Sequence, residues 1–281
     1  MYIFLIILSI MSVITTEYIA TAFIDFSILN LNFWVVIPAG SILIGMFLGW
    51  ACSKAFNKSN KKFKKWHCLI VASVAIITFL GINYMEYRTT YLSDDYTTSR
   101  TFEGTPISEF IYTNNDGTEV KMNFINYQKY LLDNLDSTIK FKSGTTAEVK
   151  TSGQINYIVY FLQIIFMIIF AIFYFVINLS NLKYCDKCRR YHTVKHLFNF
   201  SPLEYDTVMN KLEDINYYAL DLKELGNTKK KKSDSDVYFK VELSYCSQCK
   251  SGEIIIKKHK GNNSDNIKNI SIDNSLIESL I

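Results

Sequence analysis

The sequence predicts a membrane α-helical protein with four spans, a small external α+β cap and a cytoplasmic α+β domain. Three observations predict this arrangement: four long apolar segments, lysine-rich short flanks, and two Cys-x-x-Cys pairs after the last apolar segment. An apolar helix of ~20 residues crosses about 30 Å of hydrocarbon, and each segment is close to that length.

The four apolar segments give the membrane prediction. They cover residues 2–23, 33–51, 66–84 and 155–179, and the last three contain no Asp, Glu, Lys or Arg. The 281-residue chain is 49% hydrophobic, and its mean hydropathy of +0.10 averages these segments with very polar ones. A charge-free run of this length is typical of a helix in lipid rather than of a soluble core.

Positive charge in the short flanks predicts the orientation. Six lysines and no acidic residue lie in the loop 53–65, and four basic residues lie in 183–190 after the fourth span. Short cytoplasmic flanks carry the excess of Lys and Arg. We therefore expect the N- and C-termini in the cytoplasm, the chain in the plasma membrane, and residues 86–154 outside.

The first apolar segment carries an acidic residue and a small-x-small sequence. Glu17 lies in the run, and Ala20-Thr21-Ala22 resembles the cleavage site of a signal peptide. Such peptides begin with a basic region, which this segment does not have, so an uncleaved helix is the favoured interpretation. We expect Glu17 near the outer interface, with an intramembrane functional acid as the alternative.

Residues 86–154 predict the external cap. Asn114-Asn115-Asp116-Gly117 is a turn sequence that predicts a hairpin, and apolar residues recur at helical spacing over 124–135. The segment is short for an independent core, so we expect it to pack on the membrane helices or on a second copy. Asp94-Asp95 and the pair Asp133/Asp136 could bind a cation, and solvated acids explain them equally well.

Residues 183–260 predict the cytoplasmic domain. Strands are expected over 191–200, 237–245 and 253–258, and a helix over 203–225 that opens with Pro202. The tail 261–281 is rich in Asn and Ser, which predicts disorder, although its last apolar residues could dock as a short helix.

Four cysteines of this domain are the candidate metal ligands. They form two pairs, each preceded by a tyrosine: Cys185 and Cys188, then Cys246 and Cys249. On the reducing side of a membrane thiolates persist as ligands, and four of them fill the tetrahedral sphere of a structural zinc ion. His192 or His196 could replace one cysteine. A redox-active Cys-x-x-Cys opens a helix, whereas both pairs here lead into strands or turns.

These two pairs resemble the knuckles of a zinc ribbon, in which two Cys-x-x-Cys turns hold one zinc ion. The resemblance covers residues 183–260 and implies a structural zinc bound by Cys185, Cys188, Cys246 and Cys249, with Gly252 serving the tight backbone after the second pair. The departure is the spacer, since residues 189–245 separate the pairs where ~15–20 residues are usual.

Together these features predict a non-enzymatic membrane adaptor or sensor with membrane lipid and a cytoplasmic protein, or a second copy, as partners. The alternative is a small transport or channel-type subunit that acts as an oligomer, for which the spans offer few polar residues.

The run Lys229–Lys232 suggests that the domain could bind nucleic acid. However, 17 basic and 14 acidic residues follow position 180, and a tetrathiolate zinc adds about −2, so nucleic acid is not expected.

Overall fold

The computed structural model describes residues 2–24, 27–31, 37–92, 98–99, 104–113, 117–134, 138–140, 146–148, 153–213, 237–261, 263–272 and 277. The chain divides into two compact units. The helical unit comprises Met1–Ser59 and Phe63–Ser180, and the sheet unit comprises Asn60–Lys62 and Asn181–Ile281.

Within the described residues, the helical unit has five α-helices: α1 (Tyr2–Ile24), α2 (Ala39–Lys58), α3 (His67–Thr89), α4 (Phe124–Asn134) and α5 (Gly153–Ser180). All except α4 are long and apolar enough to cross a membrane. The prediction of four such helices is confirmed, and the chain is consistent with an integral membrane protein.

The helix ends differ from the apolar runs that predict them. The second helix begins at Ala39, directly after Pro38, and continues to Lys58 instead of covering 33–51. The third continues past residue 84 to Thr89. Backbone hydrogen bonding extends a helix as long as φ and ψ permit, so its ends follow Pro38 and the turn at Ser59 rather than hydropathy.

Two glycines allow α2 to touch α5 at the backbone. A Cβ at Gly45 would lie 2.5 Å from the carbonyl oxygen of Met167, and one at Gly49 would lie 2.3 Å from that of Ala171. No real side chain fits such a gap. Gly45 and Gly49 form the Gly-x-x-x-Gly spacing that permits close helix contact in lipid.

Glu17 is buried and holds the turn that follows α1. Its carboxylate accepts hydrogen bonds from the hydroxyl of Ser27 (2.6 Å) and from the backbone N–H groups of Ile28 (3.2 Å) and Leu29 (3.1 Å). Gln163 of α5 donates to the carbonyl oxygen of Leu29 at 3.4 Å. Both carboxylate oxygens are thus used by a turn, which gives this acid a structural role in the helical unit.

The segment between α3 and α5 contains short strands around α4: β1 (Tyr91–Leu92), β2 (Thr98–Ser99), β3 (Thr105–Pro106), β4 (Ile111–Thr113), β5 (Glu119–Lys121), β6 (Thr138–Lys140) and β7 (Thr146–Glu148). The expected hairpin is β4–β5, and α4 is the expected helix. Asp94, Asp95 and Asp136 lie outside the described residues. Asp133 accepts a hydrogen bond from the hydroxyl of Tyr157 at 3.1 Å.

The sheet unit contains β8 (Tyr184–Cys185), β9 (Arg190–Tyr191), β10 (Thr193–Phe200), α6 (Tyr205–Glu213), β11 (Val237–Tyr245), β12 (Gly252–Lys260) and β13 (Asn263–Ile272). Strands β10 to β13 form one antiparallel sheet in that order. The predicted helix 203–225 is described only as far as Glu213, and Lys229–Lys232 lie outside the described residues. Ser201 and Glu204 form a capping box before α6.

Alternation along β11 builds the core of this unit. Phe239, Val241 and Leu243 are buried on one face, where α6 covers them. The cluster of buried side chains consists of Phe198, Phe200, Val208, Met209, Leu212, Phe239, Val241, Leu243, Tyr245, Ile254, Ile256 and Ile277.

The expectation of disorder from residue 261 onward is wrong for Asn263–Ile272, because these residues form β13. Gly261, with φ +58°, makes the turn between β12 and β13. Ile270 pairs with Ile254 in the ladder, and both Ile270 and Ile272 pack against the core cluster. The composition of this segment suggested a disordered polar tail. The backbone groups at the edge of β12, however, supply hydrogen-bond partners to the backbone of β13.

Candidate metal centre

The sheet brings the two Cys pairs together although 57 residues, 189–245, separate them in sequence. Cys185 ends β8 and Cys188 lies in the following turn; Cys246 follows β11 and Cys249 lies in the turn before β12. Pairing of β10 with β11, with Thr193 opposite Tyr245, places the two turns at the same end of the sheet. The four sulfur atoms all lie within 4.8 Å of one another.

Each Cys pair is followed by a residue in the left-handed conformation. Arg189 and Lys250, each directly after the second cysteine of its pair, have φ values of 53° and 56°. Cys185 pairs with Arg190 across β8–β9, and the N–H of Cys246 donates to the carbonyl oxygen of Ser251 at 2.9 Å. The left-handed conformation costs an ordinary residue about 1–2 kcal/mol, so its occurrence at equivalent positions indicates a shared turn rather than chance.

The sequence suggested that Gly252 provides the tight turn after the second Cys pair, but the structure gives this glycine another role. A Cβ there would lie 2.5 Å from the carbonyl oxygen of Ser244. This glycine therefore permits β12 to approach β11 closely, while the turn itself falls on Lys250 two residues earlier.

Hydrogen bonds prepare one sulfur of the cluster as a thiolate. The hydroxyl of Ser251, 3.0 Å from the Cys249 sulfur, and the Ser251 backbone N–H lower the pKa of Cys249 to about 6. The Cys188 thiol hydrogen-bonds to Cys249 and is desolvated, which raises its pKa to about 12. A thiolate is the form of cysteine that binds a metal ion, so the lowered pKa of Cys249 favours cation binding at this cluster.

The spacing of the sulfur atoms fits a tetrahedral metal. Metal–sulfur bonds of about 2.3 Å in a regular tetrahedron separate neighbouring sulfurs by about 3.8 Å. Cys185 and Cys249 are 3.7 Å apart at sulfur. All four sulfur atoms lie within 4.8 Å of one another, so the donor set could bind a metal ion, and four ligands would leave no open position for water.

The two histidines near the first Cys pair are not part of this cluster. His192 is buried, and its Nδ1 lies 3.3 Å from the hydroxyl oxygen of Ser244. Burial, and then the charge of Lys183, lower its pKa. His196 contacts the side-chain oxygen of Asn199 at 2.8 Å on the exposed side of β10. Among the described residues, the four cysteines alone form the group of possible ligands.

The residues that flank the first Cys pair also contact a remote loop. Tyr184 and Tyr191 donate their hydroxyls to the carbonyl oxygens of Asn60 (3.2 Å) and Lys61 (3.0 Å). Asp186, between the two cysteines, forms an ion pair with Lys62 at 2.6 Å. Sequence reasoning missed these contacts. The one signal in the sequence was the tyrosine before the first Cys pair. Its counterpart before the second pair, Tyr245, lies buried in the core cluster.

Comparison of the chain with protein-family models, curated proteins and solved structures finds no match.

Proposed function

We propose that the protein is a non-enzymatic membrane adaptor or sensor whose cytoplasmic domain is a zinc-ribbon-like fold with one structural zinc ion. The observation that carries the proposal is the set of four sulfur atoms within 4.8 Å, built on two equivalent turns. In a structural site four protein ligands complete the tetrahedron, whereas a catalytic site keeps one position for water. The ion would therefore fix the shape of the domain rather than perform chemistry.

The polar side chains of the long helices favour an adaptor over the channel-type alternative. Thr78 and Asn83 donate to carbonyl oxygens four residues earlier in α3, and Asn178 does the same in α5. Asn156 and Gln163 donate to the carbonyl oxygens of Leu132 and Leu29. Side chains that satisfy backbone groups in this way leave few free groups to coordinate a permeating ion.

The sheet offers a surface for a protein partner. Strand β13 is at the edge of the described sheet, and its ten residues are mostly exposed. An edge strand presents unpaired backbone groups to which an extended segment of another protein can add. We propose this edge as the contact for a cytoplasmic partner, since a rigid, metal-fixed sheet holds such an edge in one conformation.

A photo-crosslinking amino acid tests this contact. Placed at Ile267, which is 40% exposed on β13, it should link the chain to one discrete protein in native membranes. Placed at Leu203, which is 97% exposed and outside the sheet, it should not. The Cys185→Ser variant should lose the link at Ile267. Equal linking at both positions, or linking to RNA that weakens steeply with salt, would reject the adaptor.

The orientation is tested with a thiol reagent that does not cross membranes. In intact cells it should label a cysteine introduced at Asp116 and leave one at Ser59 unlabelled, because the lysine-rich loop 53–65 predicts the cytoplasmic side there. The reverse pattern would place the four cysteines in an oxidising compartment, where disulfides rather than zinc would be expected.

A further inference from the structure

The loop between α2 and α3 is divided between the two units in an unexpected way. Helix α2 ends at Lys58 and α3 begins at His67. Asn60–Lys62, named here the docked loop, groups with the sheet unit, while the residues on both sides of it group with the helical unit. Asn60 has φ 53°, which ends the helical path after α2. Something in the sheet unit must therefore hold these three residues.

Two tyrosine hydroxyls hold the backbone of the docked loop. Tyr184 on β8 and Tyr191 on β9 are directly opposite each other in the ladder, and their rings meet edge to face at 5.0 Å. Their hydroxyls reach consecutive carbonyl oxygens, those of Asn60 and Lys61. Because the acceptors are backbone oxygens, the contact depends on the position of the loop and not on its side chains.

A charged pair adds to this contact inside the first Cys pair. Lys62 forms an ion pair with Asp186 and lies 5.5 Å from the centre of the Tyr184 ring. Both charged side chains are more than half exposed, so this pair contributes little by itself. The location of this ion pair is what matters. Asp186 directly follows Cys185, so the position of its carboxylate depends on the position of the sulfur ligands.

We propose that metal occupancy of the four-cysteine site controls the docked loop. Strands β8 and β9 have two residues each, and so short a hairpin is not stable alone. Binding of Cys185 and Cys188 to the same ion as Cys246 and Cys249 fixes this hairpin to the end of β11, and with it both tyrosine hydroxyls. Loss of the ion frees the hairpin, and the loop that joins α2 to α3 is released. The inference rests on the proposed metal site and deepens it toward regulation.

The test uses the full chain in detergent micelles or lipid discs and measures trypsin cleavage after Lys61 and Lys62 by mass spectrometry. Removal of zinc with a chelator should raise this cleavage about tenfold or more, as expected for the loss of two hydrogen bonds. The double variant Tyr184→Phe, Tyr191→Phe keeps both rings, should retain one zinc per chain, and should show the fast cleavage with the metal still bound. Tyr238→Phe, an exposed tyrosine on β11 outside this contact, should leave the rate unchanged.

The outcomes separate this inference from the metal proposal. If elemental analysis finds one zinc per chain but chelation or the double Tyr→Phe variant leaves cleavage unchanged, the control of the loop is wrong and the metal site stands. If no metal is found at the four cysteines, the metal proposal fails and this inference fails with it. Lys62→Gln should raise cleavage after Lys61 by less than the double variant does. A larger effect would show that the ion pair, rather than the two hydroxyls, holds the docked loop.

Discussion

The helical unit and the sheet unit achieve close packing by different means. In the helical unit, Gly45 and Gly49 let the backbones of α2 and α5 touch, so the contact depends on the absence of side chains. In the sheet unit, Phe239, Val241 and Leu243 fill a core beside the four-cysteine cluster. The helical unit therefore has no room for side chains at Gly45 and Gly49, whereas the sheet unit combines a core of large side chains with four clustered sulfur atoms.

Polar groups show the same contrast. The buried carboxylate of Glu17 is used by hydroxyl and backbone donors in the helical unit. The buried carboxylate of Glu242 in the sheet unit instead lies between two lysines, Lys240 at 2.5 Å and Lys257 at 2.8 Å. The helical unit satisfies its acid with dipoles and the sheet unit with charges, so salt should screen the contacts of Glu242 with its two lysines.

The largest effect is expected from loss of a sulfur ligand. Cys185→Ser should abolish metal binding and unfold the sheet unit while the long helices remain folded, because structural zinc contributes about 10–16 kcal/mol in small zinc domains. Metal content and the protease resistance of residues 183–272 measure this.

The matched control for that prediction is Cys68→Ser in α3, a cysteine outside the cluster. It should leave both readouts unchanged. A Cys185→Ser protein that keeps one zinc per chain and a protected sheet would contradict the structural role of the site.

The next effect concerns the helical unit alone. Gly49→Ala should separate α2 from α5, because its Cβ would overlap the Ala171 carbonyl, and about 1–3 kcal/mol of stability should be lost. Heating should expose Cys52, which is fully buried in α2, at a lower temperature, as measured by peptide-resolved thiol labelling. Gly81→Ala is the matched control, since its Cβ would meet only the end of the Ile14 side chain. Equal effects of both variants would refute the backbone contact.

Much of this contrast was predictable from the sequence, and the missing parts have physical reasons. Long apolar runs, three of them free of charge, predicted four long helices, and alternation at Val237, Phe239, Val241 and Leu243 predicted β11. The Cys-x-x-Cys pairs predicted a cluster that the structure assembles across a long spacer. Each of these is a strong local pattern that a single period or spacing expresses.

The parts that were missed depend on distant partners. Strand β13 exists because the edge of β12 pairs with it, which its Asn-rich composition does not reveal. The role of Glu17 depends on a turn ten residues later, at Ser27. The contact of Tyr184 with Asn60 joins residues 124 positions apart. In each case tertiary context outweighed local composition.

A smaller effect is expected from pH acting on the sheet unit. Burial raises the pKa of Glu242, but hydrogen bonds and charge from Lys240 and Lys257 outweigh it, so the pKa is lower than usual. A carboxyl group with a depressed pKa stabilises the fold above its unfolded pKa of about 4.3, and this contribution is lost as the pH falls through its folded pKa.

Denaturant unfolding of the wild type and of Glu242→Gln at pH 7 and at acid pH checks this sign. The variant should be less stable by about 1 kcal/mol at pH 7, since both lysines are about one-third exposed. The difference should vanish in acid. A difference that grows as the pH falls would show that Glu242 is not the anionic partner of the two lysines.

The smallest effect tests whether the two Cys pairs are equivalent. Arg189→Gly and Lys250→Gly remove a side chain from a left-handed residue, which relieves about 1–2 kcal/mol of strain, while glycine costs about 0.5–1 kcal/mol in chain entropy. Each variant should gain about 0.5–1 kcal/mol, measured by denaturant unfolding of the sheet unit. Lys187→Gly and Gln248→Gly, two residues earlier in each turn, should lose stability. If only one of the two pairs followed this pattern, the turns would differ in energy despite their common backbone.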